Sequence, residues 1–174
     1  MFAGKVGYID IWHKIRIPPL YASGLAFREG KAGVRLNGKW RFIDKFGKIV
    51  VEPRFDDVKY FEEGLAPVKV GTLWGFVNAT GDLVIPARFR SAKRFSEGLT
   101  AVEDENRRWG VIDTTGRTII PFQYGSVWGF KNGKTHVCDS KPVKSPSDVN
   151  CFEINWSGEL VTELERKSPL KREK

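Results

Sequence analysis

Few residues in this chain have types and spacings that could do chemistry. The acids come first, because paired carboxylates serve general acid–base catalysis. Asp44 and Asp113 occupy equivalent places in two similar segments, and Glu29, Glu63 and Glu97 share another. Asn78 and Asn132 stand at these same two kinds of position. An amide cannot replace a catalytic carboxylate, so the acids read as turn residues. His13 and His136 are the only histidines, and neither shares a repeat position with the other. With no Cys-x-x-Cys or His-x-x-x-His spacing, no metal site is expected. No phosphate-cradling glycine loop, dinucleotide fingerprint or nucleophile elbow occurs, so neither a cofactor nor a catalytic residue is expected.

The second candidate is basic. Arg88, Arg90, Lys93 and Arg94 are interleaved with Phe89, Ala92 and Phe95, which leaves all four free to point outward. Arg107 and Arg108 add two charges just before Trp109. Such a group suits a phosphate backbone or an acidic partner. The blander reading is a solvated face, and Glu103, Asp104 and Glu105 lie close by. Cys138 and Cys151 are the third candidate. Their register places them on facing strands, where a disulfide can form in an oxidising compartment. The segment from Met1 to Asp10 has no apolar leader, so a cytoplasmic location and reduced thiols are the expectation.

The elements that position these residues are repeated. Trp40 to Val50, Trp74 to Val84 and Trp109 to Ile119 align without gaps at offsets of 34 and 35 residues. Downstream, Phe55, Phe89 and Tyr124 align, as do Phe61, Phe95 and Phe130. A weaker copy begins at Val6, and a partial one runs from Cys151. The units are therefore 6–39, 40–73, 74–108 and 109–150, with a fragment at 151–163 and a basic tail at 164–174. Residues 139–150 are an insertion rich in Pro, Ser and Lys.

One unit should hold a Trp strand, an Asp-x-x-Gly turn and a return strand ended by proline. Apolar residues then recur every third position, as in Phe55, Val58 and Phe61. That spacing suits an irregular ridge on the core. The third strand, Ala66 to Val70, should pair with the next unit's Trp strand across Gly71-Thr72. In that register Lys69 faces Trp74, and Cys138 faces Cys151. Trp40, Trp74 and Trp109 belong to the shared core, together with Phe61, Phe95 and Phe130. Trp12, Trp128 and Trp156 lie off this register and are better contact candidates.

The repeat resembles the WG repeat family on Trp74-Gly75, Gly81, Ile85-Pro86, Phe89, Ala92, Phe95-Ser96-Glu97-Gly98-Leu99 and Ala101-Val102. Departures are Val6 and Cys151 at the Trp position, Arg41 at the Gly position and His13 at the turn glycine. The resemblance implies a bacterial, non-catalytic interaction scaffold. The expected fold is all-β: an array of about four antiparallel β-repeats forming an open twisted solenoid, with a small closed propeller-like ring as the alternative.

Composition bounds the function. The chain has 174 residues, a net charge of +8 and 41% hydrophobic residues. It is too apolar for a disordered chain, and no run is long enough for a membrane helix. The charge excess sits in residues 1–38 and 164–174, not in the repeated body. A basic groove along the whole array is thereby disfavoured. The expected function is an adaptor or regulator that binds a protein partner through repeat loops and basic ends, and its weakly capped end units suit a subunit of a larger assembly. A nucleic-acid-associated protein using the Arg88–Arg94 cluster is the alternative.

Overall fold

The structure is a computed structural model that describes residues 4–139 and 150–163. Residues 140–149 of the insertion and the tail at 164–174, both expected to make contacts, lie outside the described residues. All the regular elements described are strands. No helix among them is long and apolar enough to cross a membrane.

The strands form antiparallel meanders that straddle the sequence units. Strands β1 (Val6–Ile9) and β2 (Ile15–Tyr21) make a two-stranded sheet. Strands β3 (Ser23–Gly24), β4 (Lys31–Leu36), β5 (Lys39–Asp44) and β6 (Ile49–Phe55) form a four-stranded sheet. So do β7 (Asp57–Val58), β8 (Ala66–Val70), β9 (Leu73–Val77) and β10 (Leu83–Phe89). The last sheet has seven strands: β11 (Ser91–Ala92), β12 (Leu99–Glu103), β13 (Trp109–Asp113), β14 (Thr118–Val127), β15 (Lys134–Asp139), β16 (Cys151–Asn155) and β17 (Leu160–Glu163). In it the long β14 replaces the separate pair seen as β10 and β11. The described sheets do not close on one another.

The cross-unit hairpin follows from a two-residue turn after β4 and after β8, and a five-residue turn after β12 gives the same pairing. Lys69 pairs with Trp74, Arg35 with Trp40 and Glu103 with Trp109. One expectation is corrected. Proline does not end the return strand: Pro86 lies inside β10 and Pro121 inside β14. Both fall where the register slips, between the Phe76–Ile85 and Trp74–Phe89 pairs and between Val111–Ile120 and Trp109–Tyr124. At a bulge no ladder donor is needed, so proline costs nothing there.

Apolar clusters repeat from sheet to sheet. One joins Phe42, Phe55 and Phe61 to Ala66, Val68 and Val77; the next joins Trp74, Phe76, Phe89 and Phe95 to Val102 and Ile112. Phe42 meets Phe61 edge-on at 4.7 Å, and Phe76 meets Phe95 in the same way at 5.0 Å. Such pairs add about 1 kcal/mol each to plain burial. Phe61, Phe95 and Phe130 are buried, as is Trp74, whereas Trp40 and Trp109 are only half-buried.

Candidate functional site

Two kinds of turn organise the surface. At the Asp-x-x-Gly turn a side-chain oxygen caps two backbone N–H groups. Asp44 accepts from Phe46 and Lys48 at 2.9 Å each, and Asn78 accepts from Thr80 and Asp82 at 3.1 and 2.9 Å. Asp10, Asp113 and Asn155 repeat the arrangement. The turn glycine has a positive φ and faces the preceding return strand. A Cβ on Gly116 would meet Ile85 at 3.3 Å, at φ +87. Hydrogen bonds from Thr115, and then from backbone amides, hold the Asp113 carboxyl below the usual range. Thr80 and Asn78 do the same for Asp82.

At the Glu-Gly turn both residues have positive φ: 55° at Glu63 and 77° at Gly64, 57° at Glu97 and 76° at Gly98. The glutamates do more than turn the chain. Each carboxylate reaches into the next unit. Glu63 accepts from the Glu97 and Gly98 amides at 2.6 and 2.9 Å. Glu97 accepts from the Asn132 and Gly133 amides at 2.5 and 2.7 Å. Glu29 accepts from the Gly64 amide at 2.9 Å. Asn132 stands where a fourth glutamate would continue the ladder.

The basic residues expected to act together are separated. Arg88 donates to the Gly116 carbonyl at 3.0 Å and lies over Phe89, as Arg54 does with Gly81 and Phe55. Arg88 therefore braces two units while remaining exposed, and of the four residues expected to point outward only Lys93 is half-buried. Arg90 is exposed, and Arg107 and Arg108 sit in the exposed turn that Asp104 caps. Lys93 and Arg94 instead line a cleft of about 560 Å³ with Lys59, Glu62 and Lys131. Glu62 pairs with Arg94 at 2.7 Å. Lys59 lies 4.8 Å above the Trp74 ring, and Lys93 lies 5.5 Å above Trp109. Burial, then the charge of Lys59, holds the Lys93 ammonium below its ordinary value.

The three most exposed large apolar side chains sit at turns. Ile11 is 82% exposed, Trp12 70% and Phe46 78%. Trp12 and Phe46 occupy the same turn position, where later units carry Thr80, Thr115 and Ser157. Trp128 and Trp156 are also exposed, and Trp128 meets His136 edge-on at 6.0 Å. His13 takes a positive φ of 60° in the first turn. Cys138 and Cys151 pair across β15 and β16 and are joined by a disulfide. This corrects the expectation of reduced thiols: the register that brings the strands together also brings the sulfurs into bonding reach. Among the described residues no group of three or more His, Cys, Asp or Glu is placed to hold a metal ion.

A family model described as "WG containing repeat" matches residues 7–40, 40–72, 74–107 and 109–138. The chain belongs to the WG repeat family. No curated protein matches it. Among solved structures, Kluyveromyces lactis Hsv2 is similar at a TM-score of 0.54 and 10% identity, over 86% of this chain and 53% of that one. The computationally designed Ika8 protein is similar at 0.51 and 13%, over 81% and 48%. The WD40 β-propeller domain of Doa1 scores 0.43 at 15%, over 80% and 52%. The chain spans about half the length of these structures, and the first two likenesses concern the fold alone. In the WG units themselves, the glycine is a packing residue. A Cβ on Gly75 would stand 2.5 Å from the Ile85 carbonyl oxygen. In the second WG unit Arg41 takes this place, and its Nε is buried with no hydrogen-bond partner among the described residues.

Proposed function

We propose that this chain is a non-catalytic interaction module of a bacterial system, and that it docks a protein partner on the turn tips of its first two hairpins. The exposure of Ile11, Trp12 and Phe46 carries this reading. Large apolar side chains grouped on a surface mark protein contacts, and aromatic anchors dominate such contacts. The scaffold does not require an aromatic ring at the Trp12 and Phe46 position, since Thr80, Thr115 and Ser157 fill it in later units. The two hairpins pack on each other: the second turn lies against β2, where a Cβ on Gly47 would meet Ile17 at 3.6 Å. Exposed Lys14, Lys45 and Lys48 surround them. The matching partner surface is apolar at its centre and rimmed by carboxylates. An open array suits this role. The first sheet has two strands where the next two have four, and none of its strands pairs with the last sheet.

Affinity capture from native lysate tests the reading, using the wild-type chain and a Trp12→Thr/Phe46→Thr variant in parallel. A partner held by the wild type, lost by the variant and kept after nuclease treatment supports it. Capture that is unchanged in the variant overturns it. Capture abolished by nuclease points instead to nucleic acid.

A further inference from the structure

The cleft between the second, third and fourth units is separate from the turn tips, and its chemistry is different. Three units converge there. Lys59 comes from the second, Lys93 and Arg94 from the third, and Lys131 from the fourth. Four cations thus face one acid, Glu62, which Arg94 already holds. Lys59 donates to the Ala92 carbonyl at 2.6 Å. Lys93 is half-buried over Trp109 and has no hydrogen-bond acceptor among the described residues. A partly desolvated ammonium without an acceptor favours any anion that can reach it. Gly129 and Lys131 also line a second cleft of about 740 Å³, with Trp128 and His136 on its wall. The two clefts share these residues and so adjoin, forming a groove whose first part is cationic and whose second part carries the aromatic rings together with Lys134 and Glu153.

We infer that this groove binds an extended acidic peptide segment, with carboxylates at Lys93 and Lys131 and an apolar side chain against Trp128. A peptide fits better than a polynucleotide. Cations are concentrated in the first part of the groove, whereas in the second part Lys134 is already paired with Glu153 at 3.6 Å. The Glu63 and Glu97 carboxylates lie one residue away from the lining Glu62 and Ser96. A strand with a phosphate at every nucleotide would meet these acids, whereas a short segment with two or three carboxylates need not. The proposal does not depend on the turn-tip reading.

The test is fluorescence polarisation with a labelled decapeptide of glutamates around a central tryptophan. Its glutamine counterpart and an oligothymidylate serve as comparisons. The acidic peptide should bind, and the glutamine peptide should not. Raising salt from about 0.01 M to about 0.15 M shortens the Debye length from about 30 to about 8 Å and should weaken binding. Lys93→Gln/Lys131→Gln should weaken it about tenfold or more, the loss expected for one to two charge contacts. Trp128→Ala should weaken the tryptophan peptide but not a decaglutamate. Arg90→Gln, outside the groove, should change nothing. Lys131 is exposed, so Lys131→Glu alone repeats the test without disturbing the core. Absence of peptide binding at low salt overturns the inference. So does binding unchanged by the lysine variants, or oligothymidylate bound more tightly than the peptide and lost in the same variants.

Discussion

Removing the Glu97 carboxylate should loosen the third unit from the fourth. In Glu97→Ala the Asn132 and Gly133 amides lose the acceptor that now holds them at 2.5 and 2.7 Å. Hydrogen bonds to a charged group are worth about 1.5–3 kcal/mol each when protected from water. This turn is exposed, so water replaces much of that, and about 0.5–1 kcal/mol per bond is the appropriate scale. The expected loss is about 1–2 kcal/mol. For a domain of this size that lowers Tm by about 3–6 °C. The substitution keeps a Cβ at φ +57, so backbone strain is the same in both chains and the difference reports the carboxylate. Glu97→Gln should fall between the two, because its amide offers one acceptor oxygen and turns two donors toward the amides. Urea unfolding at neutral pH measures the loss, with Glu105→Ala as an exposed acid outside the ladder. An unchanged midpoint in Glu97→Ala, or a loss no larger than that of Glu105→Ala, would refute the ladder as a source of stability.

Two further outcomes follow from the same geometry. Reducing the Cys138–Cys151 disulfide, whose partners are 13 residues apart, should cost about 3 kcal/mol through the freed loop and lower the melting temperature. Differential scanning calorimetry with and without reductant checks this, and superimposable melts would contradict it. Acid should also destabilise the chain. Asp113 and Asp82, together with Asp56 held by the Lys39 ammonium and the Gly71 amide, have carboxyl pKa values lowered by folding. A carboxyl lowered in the folded state stabilises above its unfolded pKa of about 4, and that stabilisation disappears as pH falls through the folded value. Asp113→Asn should flatten part of the decline in urea midpoint below about pH 4, and parallel pH profiles for the two proteins would rule out that contribution.

Much of the fold was legible because the repeat says the same thing several times. Five segments place Asp or Asn three residues before the turn position, and all five cap it as the side-chain chemistry requires. The pairing of Lys69 with Trp74 followed from a two-residue turn, and the facing cysteines followed from the same register. The glutamate ladder was only half legible. Glu29, Glu63 and Glu97 were recognisable as turn residues, and Asn132 as their substitute. Which neighbour a carboxylate touches is a tertiary fact, and equivalence between units cannot supply it. Proline was misjudged because the strand pattern does not reveal a bulge. The place of Lys93 over the Trp109 ring is a tertiary fact too, since the sequence spacing sends that lysine outward.

The repeat also separates scaffold from contact surface. A position filled alike in every unit is explained by the geometry that every unit shares. Phe61, Phe95 and Phe130, for example, fill consecutive cores. A position that departs from its equivalents has no such explanation. Trp12 and Phe46 stand where threonine or serine suffices elsewhere. Trp128 stands where two earlier units carry Lys59 and Lys93, and Lys131 where they carry Glu62 and Ser96. Each departure places a large apolar or charged side chain on the surface, where folding gains little from it. The two departures in the fourth unit lie three residues apart, and both line the wider part of the groove. The units therefore share a framework, and the proposed contacts fall at the positions where they differ.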